Sequence, residues 1–168
     1  MKDIKNIERV HKWQQKQKEK GLCIECSNPT TGLRCNTCNK RRAEYRKRKK
    51  IEWKENGLCN QCGNETIKGK NQCEKHYLMQ VAIDRLGTSK FWKDLKQLIR
   101  KQNYKCSLTG DDISFESDID LDHIIPITRG GKNEISNVRW VIRQANRLKN
   151  NLTDDELKVL CLKIIQNT

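Results

Sequence analysis

The chain has 168 residues, room for one ordinary domain or two small ones, and its 35 Lys and Arg against 21 Asp and Glu leave a formal charge of +14. Only 35% of the residues are apolar and 5% aromatic, below the roughly 45–50% apolar content usual for globular domains, so a large core alone is not expected to hold it together. The charged start MKDIKNIERVHKWQQKQKEK lacks the apolar run of a secretory signal, and nothing approaches the ~20 apolar residues of a membrane span. A cytoplasmic location, in a prokaryotic or phage-infected host cell, is therefore expected, with no membrane partner. In that reducing compartment the nine cysteines point to metal rather than to disulfides.

Residues 1–20 are expected to form a basic helix, with Ile4, Ile7, Val10 and Trp13 at helical spacing. Next comes a tandem duplication: GLCIECSNPTTGLRCNTC from residue 21 and GLCNQCGNETIKGKNQCEKH from residue 57. The first copy offers Cys23, Cys26, Cys35 and Cys38, and the second Cys59, Cys62, Cys73 and His76. Two thiolates from one tight turn bind one ion, and the later pair returns to the same point. A histidine at the fourth position of the second copy suits zinc and cannot serve a disulfide. Two structural zinc ions are expected, supplying folding free energy that the composition withholds.

Between the copies, Lys40, Arg41, Arg42, Arg46, Lys47, Arg48, Lys49 and Lys50 are clustered on a stretch without Gly or Pro before Gly57, which predicts a helix of about four turns. Residues 1–80 carry +11 and residues 81–168 only +3. The basic half has the electrostatic footprint of a nucleic-acid partner, with Tyr45 or Trp53 to pack or stack.

From Thr88 the pattern becomes that of a packed domain. Ser89 is placed to cap a helix with Phe91, Trp92, Leu95, Leu98 and Ile99 on one face. IDLDHIIPI reads as a strand ended by Pro126, TRGGKNEISN as a polar loop, VRWV as a second strand and IRQANRLKNN as a helix. Thr153 and Glu156 form a capping box for a last helix whose Leu157, Leu160, Cys161, Ile164 and Ile165 are expected in the core. Cys106 and Cys161 read as small buried apolar residues. Asp122 and His123 are adjacent and, on a strand, point to opposite faces. With Asn137 and Asn146 they supply an imidazole base and hard oxygen ligands, the components of metal-assisted phosphodiester hydrolysis.

The stretch Leu121-Asp122-His123-Ile124-Ile125-Pro126, the loop end Ser136-Asn137-Val138 and the helix Gln144-Ala145-Asn146-Arg147-Leu148-Lys149 resemble the HNH endonuclease family, over roughly residues 103–166. Cys106-Ser107-Leu108-Thr109-Gly110 and Val138-Arg139-Trp140-Val141 resemble its phage and mobile-element branch. The resemblance implies a ββα-metal fold and an α+β class overall: a small nuclease domain with flanking helices, preceded by two zinc-binding modules and basic helices. It implies that His123 is the general base, that Asn137 tethers the loop orienting it, and that Asp122 and Asn146 hold a divalent ion, Mg or Mn. Asp120 is placed to support that ion. Arg129, Arg143, Arg147 and Lys149 are candidates for phosphate contact beside Arg41, Arg42, Arg46, Lys47, Arg48, Lys49 and Lys50.

The expected domains are 1–20, a basic helix; 21–56, zinc module 1 and its basic helix; 57–87, zinc module 2 and a helix; and 88–168, the nuclease. The first three would form an elongated arm joined to the nuclease near Ala82–Ser89. The expected substrate is double-stranded DNA, with no small-molecule cofactor. One site per chain cuts one strand, so a double-strand break requires a homodimer or two sequential events. The alternative is a non-catalytic zinc-containing nucleic-acid-binding protein with a decayed nuclease fold.

Overall fold

A computed structural model describes residues 4–167. Residues 1–3, where the expected first helix begins, and the side chain of Ile4 lie outside the described residues. The chain divides into two compact units, Met1–Trp53 and Lys54–Thr168.

The first unit holds α1 (Ile4–Glu19) and most of α2 (Asn36–Glu55) around the first cysteine module. The side chains of Ile7, Val10 and Trp13 remain exposed, and the buried residues of this unit, among those described, are Cys23, Ile24 and Cys38.

The duplication seen in the sequence is also a duplication of backbone geometry. Gly21 and Gly57 leave the preceding helices with φ of 65° and 64°, a conformation that costs glycine little. Cys23 N then donates to Asn28 O at 2.8 Å, and Cys59 N to Asn64 O at 2.9 Å.

The second unit contains α3 (Glu74–Leu86), α4 (Trp92–Lys101), β1 (Ile119–His123), β2 (Val138–Ile142), α5 (Arg143–Lys149) and α6 (Asp154–Gln166). The two strands pair antiparallel in the register Leu121↔Trp140, Asp122↔Arg139, His123↔Val138. One core runs through Leu78, Ala82 and Leu86 of α3, Leu95 and Ile99 of α4, and Leu121, Trp140 and Val141 of the strands. The Trp140 indole NH donates to Leu95 O at 3.0 Å, so the largest core side chain leaves no orphaned donor.

Several expectations change. Within the segment 82–89, read as the joint between arm and nuclease, Ala82 and Leu86 are buried because α3 lays its apolar face on α4. Thr88 rather than Ser89 provides the cap, its hydroxyl accepting from Lys90 N at the start of a 3-10 turn, and α4 begins only at Trp92. The Thr153–Glu156 capping box is present. Of the apolar face of α6, however, only Leu157 is buried; Leu160, Ile164 and Ile165 are exposed. Cys106 is buried, whereas Cys161 is only partly so. No helix of the described residues is long and apolar enough to cross a membrane.

Candidate functional site

Two clusters of potential metal ligands and one polar pocket stand out. The ligand atoms of Cys23, Cys26, Cys35 and Cys38 all lie within 4.8 Å of one another, as do those of Cys59, Cys62, Cys73 and His76. A tetrahedral ion with sulfur at about 2.3 Å spaces its sulfurs about 3.8 Å apart. Cys26 and Cys35 stand 3.5 Å apart and Cys62 and Cys73 3.6 Å, while His76 Nδ1 lies 3.4 Å from Cys59 and 3.3 Å from Cys73.

Burial pushes the Cys23 thiol up, but backbone amides donating to its sulfur, led by that of Cys35, more than offset this and bring it down to about 6. Cys38, hydrogen-bonded to Cys26 and desolvated, is pushed up to about 12. Four sulfurs this close cannot all ionise without a cation between them. The donor sets and their spacing fit zinc, and either set could hold it.

The pocket, about 460 Å³, sits where β1 ends against α5 and is lined by Arg85, Asp120, Asp122, His123, Asn146 and Arg147 among others. Strand alternation explains the first part of this: Ile119 and Leu121 turn into the core, while Asp120 and Asp122 share the opposite face. The register then sets Arg139 directly across from Asp122, and α5 supplies Asn146 and Lys149.

Asp122 is 4% exposed and does not stand free. Its Oδ2 accepts from Arg139 Nε at 2.9 Å and its Oδ1 from Lys149 Nζ at 3.0 Å. Lys149, expected to reach phosphate, is wholly buried instead and also donates to His123 O at 2.7 Å. Arg139 continues the chain of charges to Asp154, the first residue of α6, through two bonds of 2.7 and 2.5 Å. Two cations and two anions thus tie together both strands and two helices. A buried charge needs such partners, and removal of one leaves another uncompensated.

Asp120 is less confined. It accepts from Asn146 Nδ2 at 3.1 Å and from Arg85 Nη2 at 3.2 Å. The carboxylates of Asp120 and Asp122 and the amide of Asn146 therefore present hard oxygen donors to one pocket, a set suited to a divalent ion of the magnesium class.

His123 is half-buried, and its Nε2 lies 3.1 Å from Asn133 Oδ1. With that amide oxygen facing the ring, Nε2 donates and Nδ1 carries the lone pair. Burial lowers the imidazole below its ordinary value; the bond to Asn133 and the Asp122 charge oppose this, and the Arg85 and Lys149 charges add to it. The ring is accordingly biased toward the neutral, proton-accepting form.

Asn137 holds the intervening loop. Its Nδ2 donates to Ile125 O and Lys132 O, both at 3.0 Å, and its Oδ1 accepts from Ile125 N at 2.9 Å. Gly131 is required beneath it, because a Cβ there would collide with the Ile125 carbonyl.

The remaining basic candidates lie in different settings. Arg143 Nε is 3.1 Å from Asp118, Arg129 pairs with Glu156 at 2.8 Å, and Arg147 is exposed at the pocket. On α2, Arg46, Lys47, Arg48 and Lys50 are exposed. Lys49 donates to Glu52 at 2.9 Å. Arg41 and Arg42 reach back to Glu25, which also accepts from Arg34; these guanidiniums hold its carboxyl down to about 2.

Sequence reasoning missed Arg85 and Asn133: Arg85 lies outside every motif, Asn133 was one polar residue of the TRGGKNEISN loop, and only the fold shows that they meet Asp120 and His123. Arg139 and Lys149 stood inside the motifs, but their burial depends on strand register and on the turn of α5.

No curated protein matches the chain. Residues 106–154 match the family model described as HNH endonuclease. That span contains both strands, the Asn137 loop and α5, so this part of the chain is an HNH endonuclease domain, preceded by two cysteine modules that fit zinc knuckles.

Proposed function

We propose that the protein is a divalent-metal-dependent DNA endonuclease, with zinc held at both cysteine modules and the basic α2 serving to bind duplex DNA. The observation that carries this reading is the single pocket uniting His123, Asp120, Asp122 and Asn146 inside the matched segment.

His123 Nδ1 accepts a proton from water, whose oxygen attacks phosphorus in line. The P–O3′ bond breaks, leaving 5′-phosphate and 3′-hydroxyl ends, and the departing oxygen takes its proton from solvent. Asp122 and Asn146, with Asp120 beside them, would hold the ion, Mg or Mn; when bound it stabilises the charge that builds on the phosphoryl and leaving oxygens. Arg139 and Lys149 fix the Asp122 carboxylate, and Asn137 keeps the loop after His123 in place. The zinc sites, with four protein ligands each, have no open position and are structural. A single chain nicks one strand; a homodimer, or two events, gives a double-strand break.

The test is nicking of supercoiled plasmid by the zinc-loaded protein in Mg or Mn, with a chelator control and a separate binding assay. His123→Ala should lower the rate by about 10²–10⁴-fold, the usual share of general base catalysis, while duplex affinity stays within a few-fold. Because the folded environment lowers the His123 pKa, the wild-type rate should rise with pH through a midpoint below the ordinary imidazole value and level off at neutrality. Undiminished cutting by the variant would remove His123 from the mechanism.

The rival reading, a non-catalytic zinc-containing nucleic-acid-binding protein, draws support from Asp122, whose oxygens are both already engaged by cations. It requires salt-sensitive binding with no turnover in either metal.

A further inference from the structure

The pocket has one wall that the HNH segment does not supply. Arg85 belongs to α3, more than twenty residues before the matched span begins at 106, yet it lines the same pocket as His123, Asp120, Asp122 and Asn146.

Its placement follows from the helix. Cys73 stands at the N-cap position of α3 and His76 lies in its first turn, so two of the four potential ligands of the second cluster sit at one end of the helix. Leu78, Ala82 and Leu86, four residues apart, bury one face against the core. Arg85, seven residues beyond Leu78, lies at the edge of that buried face and is carried to the open side of the hairpin. The helix then stops at Gly87, which has a φ of 74° and returns its N–H to Ile83 O.

The guanidinium is held but not used up. Arg85 Nη2 donates to Asp120 Oδ1 at 3.2 Å, and the side chain remains 41% exposed. One bond aims the group, while a guanidinium has five N–H donors in a planar fork that matches phosphate oxygens. The other cations near the pocket are committed or placed differently. Lys149 is wholly buried on Asp122 and the His123 carbonyl; Arg139 is buried between Asp122 and Asp154; Arg143 leans on Asp118; and Arg147 also lines the pocket, as an exposed side chain of α5 inside the matched span.

The geometry points to Arg85 as a catalytic residue that donates to a non-bridging oxygen of the scissile phosphate, delivered from outside the HNH motif by the helix of the second cysteine module. The assignment rests on the nuclease reading of this pocket. It gives the negative charge of the phosphoryl transition state a donor aimed by Asp120, from a helix outside the matched span. Asp120 has a corresponding task as a positioning residue, holding the guanidinium at the pocket mouth before DNA arrives. The second module thereby belongs to the catalytic unit, consistent with its place in the same compact unit as the strands.

The experiment compares wild type, Arg85→Ala and Arg85→Lys in single-turnover nicking of supercoiled plasmid with Mg. Duplex affinity and the urea midpoint are measured on the same proteins, and nicking is repeated with millimolar guanidinium. The expected result is a rate about 10²–10³-fold lower for R85A, as for removal of one fixed transition-state donor. R85K should be intermediate, affinity and midpoint should be nearly unchanged, and free guanidinium should partly restore R85A alone. R85A cutting at the wild-type rate overturns the assignment and leaves the nuclease reading intact. A loss that tracks a lowered midpoint or weaker DNA binding, with no rescue, makes Arg85 structural and also overturns it. Wild type that cuts nothing in Mg or Mn overturns the nuclease reading and this assignment with it.

Discussion

The two copies of the GLCxxC module gather their four potential ligands in the same way, yet the helices that follow them have opposite fates. After the first copy, α2 is basic nearly all round and, among its residues, only Cys38 is buried. After the second, α3 sends Leu78, Ala82 and Leu86 into the core of the HNH domain and Arg85 to its pocket. Spacing of the ligands fixes a small metal-binding turn. What the turn becomes part of depends on the apolar pattern of the next dozen residues. In one unit the ligand cluster stands in for a core, and in the other it is an accessory to one.

That contrast can be broken most directly by removing zinc. Binding to such sites is worth on the order of 10–16 kcal/mol in zinc-finger peptides, more than a small module retains by other means. Chelation should therefore abolish hydrogen-exchange protection at Cys23 N, while the amides of β1 and β2 stay protected by the Trp140 core. Equal loss in both units would show that the HNH core also depends on metal.

A smaller effect is expected from truncating the two helices. Leu78→Ala in α3 should cost about 2–5 kcal/mol by urea denaturation, as fully buried leucines do. Tyr45→Ala in α2, where the ring is 53% exposed, should stay within about 0.5 kcal/mol. Similar losses would mean that α2 is packed as α3 is.

The buried charge chain sharpens the comparison further, since it lets the second unit join strands and helices without metal. Lys149→Met leaves Asp122 with Arg139 alone and should cost about 3 kcal/mol, the low end for breaking a buried pair because one partner remains. A midpoint equal to that of wild type would show that Lys149 contributes no net stability where it is buried.

Much of this was legible in the chain. The duplicated cysteine spacing announced two clusters able to hold metal because ligands two residues apart leave the backbone few options. Asp122, His123, Asn137 and Asn146 announced the match to the HNH endonuclease model over residues 106–154, because hairpin and helix are contiguous and the motif spans them. The capping box at Thr153 and Glu156 could be read for the same reason, being a local contact over three residues.

Periodicity misled where it depended on a neighbour. The apolar positions of α6 were regular, but regularity does not say that anything lies opposite, and Ile164 and Ile165 are left in solvent. Lys149 looked like a phosphate contact because lysines on short helices usually face water. Only the register that sets Arg139 across from Asp122, with α5 lying over that face, shows that its ammonium is needed inside.

The sequence by itself thus determined the two clusters that could hold metal, the basic character of α2 and the match to the HNH model, since each is local or carried by side-chain chemistry. The tertiary structure alone decided which carboxylate is buried and which is open, that Ala82 and Leu86 of segment 82–89 pack into the core, and that Arg85 meets Asp120 across thirty-five residues of chain. Those are long-range contacts, and long-range contacts are set by how an apolar face finds its partner, which no single stretch of sequence contains.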